Sequence, residues 1–142
     1  MPLVLRCHEG IGPIVTGPVL VADDGFSARY DLDRKAGVFS RPAHKLFGHS
    51  YAGKVLALNT SKGGVATAWM LHEMAARGIV PLALLFNRVN PIIAQGAAFG
   101  DVALVDRFED DITRVLRLGD IVEVDPGRGI VTVLNRTTLR SK

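Results

Sequence analysis

Two short apolar runs constrain this chain more than any other feature. Val55-Leu56-Ala57-Leu58 follows Gly53-Lys54, and Ile79 to Phe86 is interrupted only by Pro81. Apolar runs of four to eight residues bounded by turn formers read as strands buried on both faces. The polar turn Asn59-Thr60-Ser61-Lys62-Gly63-Gly64 separates the first run from Val65 to Arg77. There Thr67, Met70, Leu71, Met74 and Ala75 recur at helical spacing, and Glu73 precedes Arg77 by four, the order that favours a surface ion pair. Gly78 suits a helix C-terminus, and Pro81 implies an early or edge position in its strand. Lys54 to Phe86 therefore predicts strand, loop, helix and strand, a right-handed crossover between parallel neighbours.

The remaining segments are short, punctuated by 15 Gly and 7 Pro. Strands are expected at Leu3 to Cys7, Val19 to Ala22, Phe26 to Tyr30 and Val102 to Val105, with Gly10 to Pro18 as a connection. Asp31 to Gly48, polar and irregular, reads as a long surface loop. Short helices are expected from Asn90-Pro91 to Ala98 and from an Asp110-Asp111 cap to Leu118. Ile121 to Val124 and Ile130 to Leu134, joined by Pro126-Gly127-Arg128-Gly129, predict a barrel-closing hairpin. The expected class is mixed α/β, strand-rich, in one domain of 142 residues with 135–142 as a basic tail.

Composition removes several function classes. No apolar run approaches the ~20 residues of a membrane helix, and no secretory signal is visible, so a cytoplasmic protein without membrane contact is expected. Cys7 alone makes neither an internal disulfide nor a zinc site. The formal charge of +3 suggests nucleic acid, but without Arg136, Arg140 and Lys142 the chain carries equal numbers of basic and acidic residues. A nucleic-acid partner is therefore not expected.

Chemistry concentrates in the turn after the first apolar run. Gly63 and Gly64 let backbone amides approach a ligand, the helix start favours an anion, and Lys62 adds a full charge. A plain capped helix start, with Ser61 as N-cap, explains the same residues. Neither a Walker loop nor a dinucleotide fingerprint is present. The histidines show no metal spacing. His44 and His49 lie where they could meet a ligand but read first as solvated loop residues, and His72 as a helix-flank residue. Asp24, Asp31 and Asp33 read as turn formers, and Cys7 as a small core residue. With no self-sufficient catalytic set, a second chain is expected to complete any site.

In order, Gly17-Pro18-Val19-Leu20-Val21, Phe26-Ser27, Asp31, Gly37, His44-Lys45-Leu46-Phe47-Gly48, Ala52 to Leu56, Lys62-Gly63, Gly78 to Ala83, Pro91 to Ala97 and Gly119 to Val124 resemble the small swivel chain of the aconitase-X family. The resemblance implies a swivelling β/β/α domain with a small β-barrel core and flanking helices. It also implies the small subunit of a hydro-lyase that removes water from a hydroxylated carboxylate, such as cis-3-hydroxy-L-proline or a phosphorylated hydroxy acid. A large partner subunit would carry an iron–sulfur cluster or iron, leaving no metal and no cofactor on this chain. The family's basic residue–Gly–Ser turn reads Lys62-Gly63-Gly64 here, so the serine that looks like the base or proton relay is replaced by glycine. Ser61, or Thr67 in the first helical turn, could supply the proton-transfer hydroxyl in its place, and Ser61 is the expected one. Lys62, Gly63, Gly64, Thr67, Ser27, Arg29 and His44 are the expected substrate contacts. The same substitution leaves open a non-catalytic anion-binding or regulatory module.

Overall fold

The computed structural model describes residues 3–26, 32–33, 36–61, 73–88 and 102–135. Its main feature is an eight-stranded mixed sheet. The strands are β1 (Leu3–Arg6), β2 (Val15–Val21), β3 (Gly25–Phe26), β6 (Val55–Ser61), β7 (Ala83–Arg88), β8 (Ala103–Val105), β9 (Ile121–Asp125) and β10 (Ile130–Asn135). A separate two-stranded sheet pairs β4 (Leu32–Asp33) with β5 (Val38–Phe39). Helical turns occur at 73–76 (α1) and Ile112–Val115 (α2).

The order β1-β10-β9-β2-β6-β7-β8 puts β6 inside the sheet, parallel to β2 and β7, with β8 parallel to β7. β6 and β7 are thus the parallel neighbours predicted for the crossover, although most of the intervening helix lies outside the described residues. β3 continues the line of β2 along β6, pairing Gly25 with Thr60 and Phe26 with Ser61.

Side-chain alternation divides the core between the two faces of this sheet. Leu20, Leu56, Leu58, Leu84, Phe86 and Leu104 pack on one face with Phe39, Leu46, Tyr51 and Met74. Val19, Val55, Ala57, Ala83, Leu85 and Val105 pack on the other with Val122, Val124, Val131 and Ile112. Burial on both sides is why these strands read as unbroken apolar runs.

The Gly78 expectation holds in detail. Gly78 has φ +74°, its N–H donates to Ala75 O, and the Ile79 N–H reaches Met74 O at 3.0 Å. This six-to-one closure is a Schellman ending, with Met74 and Ile79 packed in the same cluster. Pro81 precedes β7, where its missing N–H breaks no ladder bond.

Other expectations change. The segment read as a surface loop from Asp31 to Gly48 instead contributes to a packed cap. Phe39, Leu46 and Tyr51 are buried, and β4–β5 plus backbone bonds such as Phe39 N–H to His49 O at 2.9 Å hold it together. Single apolar residues without a period anchor this cap, so no strand or helix pattern announced it. β2 begins at Val15, within the expected connection, because Val15–Pro18 pair antiparallel with β9. β6 extends through Ser61, taking up half of the expected polar turn. α2 is shorter than expected, since Leu116 is already extended. β10 reaches Asn135, where the tail was expected to start. The helix expected at 90–98 lies outside the described residues.

Among the described residues, no closed barrel forms as a continuous ladder. The outer edges are instead joined by residues after β1: His8 N–H donates to Asp106 O at 3.1 Å, and Ile11 and Leu104 exchange backbone bonds of 3.0 and 2.9 Å. Gly10 permits this approach, because a Cβ there would stand 1.9 Å from Leu104 O.

Candidate functional site

In open parallel sheets, ligands bind beyond the carboxyl ends of the strands, where side chains and loops converge without blocking ladder bonds. Here that edge comprises Asn59, Thr60 and Ser61 at the end of β6, Asn87 and Arg88 at the end of β7, and Asp106, Arg107 and Phe108 after β8. A cavity of about 570 Å³ is lined by Asn87, Arg88, Asp106, Arg107 and Phe108.

Asn87 organises this edge. Its Nδ2 donates to Asn59 Oδ1 at 3.1 Å and to Asp111 Oδ1 at 2.8 Å, while its Oδ1 accepts the Ile112 N–H at 3.1 Å. With both amide hydrogens and the carbonyl engaged, the side chain has one orientation that satisfies all three partners. Its backbone carbonyl accepts the Arg107 N–H at 3.1 Å. Arg107 has φ +57°, the only positive φ of a non-glycine residue among those described. The Asn87 bonds and the His8–Asp106 bond hold the backbone on either side of that strained turn.

Asp111 caps α2 through bonds from Thr113 N–H at 2.9 Å and Thr113 Oγ1 at 2.6 Å. The Thr113 hydroxyl first, then Asn87, hold its carboxyl below the usual carboxylate range. The acid is therefore committed to structure as a charged acceptor.

A second cluster fixes the other flank. The Asp24 backbone carbonyl accepts the Asn59 N–H at 2.8 Å, next to the β3–β6 pairing. Its carboxylate accepts the Lys45 N–H at 3.2 Å and lies 3.8 Å from His44 Nε2 and 4.0 Å from Arg41. His44 Nδ1 accepts the Leu46 N–H at 3.0 Å, and the ring stacks on Phe39 with centroids 4.7 Å apart. His44 is only 2% exposed, so its reading as a solvated loop residue is corrected: the cap folds the ring inward.

Ser61 ends β6 opposite Phe26, bringing the last described residues before Ser27 and before Lys62 to one edge. Ser27, Arg29, Lys62, Gly63, Gly64 and Thr67 themselves lie outside the described residues, as do Asp31 and His72. His49 is exposed, Asp33 accepts the Ala36 N–H at 3.1 Å as a turn former, and Cys7 is half-buried. Burial first, then the Asp106 charge, push the Cys7 thiol up to about 12, which suits a packing residue rather than a nucleophile. Among the described residues, no group of three His, Cys, Asp or Glu side chains could hold a metal ion. Likewise, no described helix is long and apolar enough to cross a membrane. Asn87, Arg88 and Arg107 were not singled out from sequence; polar residues directly after a buried parallel strand were the available signal.

Comparison with known proteins places this architecture. The family model for the aconitase X swivel domain matches residues 4–133. The small subunit of phosphomevalonate dehydratase from Methanothrix thermoacetophila is 35% identical over 129 residues, covering 91% of this chain and 93% of that protein. The corresponding subunit from Methanopyrus kandleri is 34% identical over 113 residues, covering 80% and 84%. The crystal structure of holo aconitase X from Thermococcus kodakaraensis superposes with a TM-score of 0.86 at 25% identity, covering 94% of this chain and 99% of that one. A UPF0107 protein solved by solution NMR superposes at 0.84, also at 25% identity, covering 94% and 100%. The chain belongs to the aconitase X swivel-domain family.

Proposed function

We propose that this chain is the small swivel subunit of an aconitase-X-type hydro-lyase, acting with a large partner subunit on a small phosphorylated hydroxy acid. The observation that carries this proposal is similarity along nearly the whole chain to relatives named as phosphomevalonate dehydratase small subunits. The joined ends of β3 and β6 support it by giving the substrate-side segments a rigid base.

Water elimination requires transfer of the proton beside the carboxylate and departure of the hydroxyl group. Ser61 is assigned the proton-transfer hydroxyl. Lys62 and the amides of Gly63 and Gly64 would hold a substrate anion, with Thr67, Ser27 and Arg29 as further proposed substrate contacts. His44, enclosed by Phe39, would act by positioning Asp24 and β3 rather than by touching substrate. An iron–sulfur cluster or iron is proposed on the large partner subunit; among the described residues of this chain, no group of three His, Cys, Asp or Glu side chains could hold a metal ion. A cytoplasmic enzyme without nucleic acid or membrane as partner is part of this proposal, supported by the equal numbers of acidic and basic residues outside the basic tail.

The test is co-expression with a large aconitase-X chain, followed by assay of water loss from phosphorylated and unphosphorylated hydroxy acids and from cis-3-hydroxy-L-proline. Turnover should require both chains, and Ser61→Ala should lower kcat by about 10²- to 10⁴-fold. Full turnover in Ser61→Ala would reject the Ser61 role. No turnover on any of these substrates by a stable, metal-loaded complex would reject the enzyme assignment. Gly64, where the family carries serine, specifically favours a second reading, a non-catalytic anion-binding module. Gain of turnover in Gly64→Ser from an inactive wild-type complex would support that alternative.

A further inference from the structure

We infer that Arg88 and Arg107 form a phosphoryl-binding subsite at the cavity beyond β7 and β8, and that this subsite selects phosphorylated substrates. The inference rests on the hydro-lyase proposal for the identity of the ligand, but not for the existence of the site. Both arginines line the same cavity. Arg88 is exposed, and no ion pair among the described residues engages it. Arg107 is 65% exposed at its side chain, and its Nε lies 3.7 Å from Asp106 Oδ2. Among the described residues lining the cavity, that is the single carboxylate against two guanidinium groups, a net positive balance. Guanidinium forks match phosphate oxygens in both geometry and charge.

The backbone supports a built site rather than two stray surface cations. Arg107 is kept in the left-handed region by its N–H bond to Asn87 O, and Asn87 is the residue immediately before Arg88. One polar network therefore sets the bases of both arginines. Thr60 and Arg88 are register partners on parallel neighbours, placing Arg88 about 5 Å across the sheet from the residue before Ser61. A ligand reaching from Ser61 across the shared carboxyl edge of β6 and β7 would bring a distal anionic group to this cavity. The phosphoryl group could belong to the substrate ester or to free phosphate.

Two arms separate these sources. The first titrates inorganic phosphate into the isotope-labelled chain at constant ionic strength and follows its amide resonances. Saturable shifts are expected at Arg88, Arg107 and Phe108. They should be lost in the Arg88→Gln/Arg107→Gln double variant and retained in Lys54→Gln, a change just before β6 at the strand end opposite the cavity. Absence of saturable shifts, or their persistence in the double variant, overturns the subsite.

The second arm compares KM in the reconstituted complex for a phosphorylated hydroxy acid and its unphosphorylated counterpart. The double variant should raise KM for the phosphorylated compound on the order of 10- to 100-fold, with kcat and the other KM little changed. Equal changes for both compounds overturn substrate selection; together with phosphate shifts that are present in the wild type and lost in the double variant, they assign the site to free phosphate. If phosphate binds as expected but the complex dehydrates nothing, the hydro-lyase proposal fails and the subsite stands. If turnover proceeds while the arginine variants alter neither arm, the subsite fails and the hydro-lyase proposal stands.

Discussion

Asp24 and Asp111 are carboxylates with separate structural tasks on the two flanks of one strand edge. Asp24 meets the Lys45 amide and the His44 ring, tying the cap to β3. Replacing His44 by Ala would leave a hole beside Phe39, with an expected loss of about 2–4 kcal/mol by analogy with large-to-small core changes. Urea unfolding with an unchanged midpoint and slope would contradict the enclosed placement of the ring. Asp111 instead caps α2 and anchors Asn87. Asp111→Ala should cost about 1 kcal/mol near neutral pH. Because the folded carboxyl is held low, its contribution is full above the ordinary carboxylate value and declines as pH falls through the lower folded value. The stability gap between wild type and Asp111→Ala should accordingly narrow in acid; a gap that widens below about pH 4 would reverse the assigned sign.

Among the elements, β6 shows what the sequence reveals and what it conceals. Val55 to Leu58 announced a buried strand because every side chain is apolar, whereas Asn59 to Ser61 looked like a turn although the ladder continues through them. Polar side chains at an exposed strand end carry no period that distinguishes pairing from turning. The same limitation concealed Asn87 and Arg107, whose roles depend on contacts between separate strand ends, and the inward His44, whose neighbours have no regular spacing. The end of α1 was legible because glycine itself carries the signal. Gly78 has φ +74° with open space around its Cβ position, so Gly78→Ala should cost about 1–2 kcal/mol through backbone conformation alone. Gly10→Ala should cost more, because its Cβ would collide with the Leu104 carbonyl that joins the sheet edges. Thermal unfolding of the two variants compares them directly, and an equal loss would argue against the close approach at Gly10.

Across the whole molecule, one sheet separates two cores that answer to different coverings. The cap packs Phe39, Leu46 and Tyr51 on one face, while the β9–β10 hairpin and α2 pack on the other. Cap amides at Phe39, Gly48 and Tyr51 bond to carbonyls within the cap, whereas β6 is laddered on both sides. Sub-global opening of the cap therefore breaks local bonds and one apolar face while leaving the central ladder intact. Native-state hydrogen exchange should show Phe39, Gly48 and Tyr51 opening with lower free energy than Leu56 to Leu58 and Leu84 to Phe86. Asp24→Asn, by weakening the attachment to His44 and Arg41, should lower cap protection further without matching losses at Val122, Val124 and Val131. Uniform loss at all these amides would mean that the two faces unfold as one unit. Selective loss would instead connect the polar cluster at Asp24 to the stability of the surface beside β3, the flank from which Ser27 is proposed to face substrate.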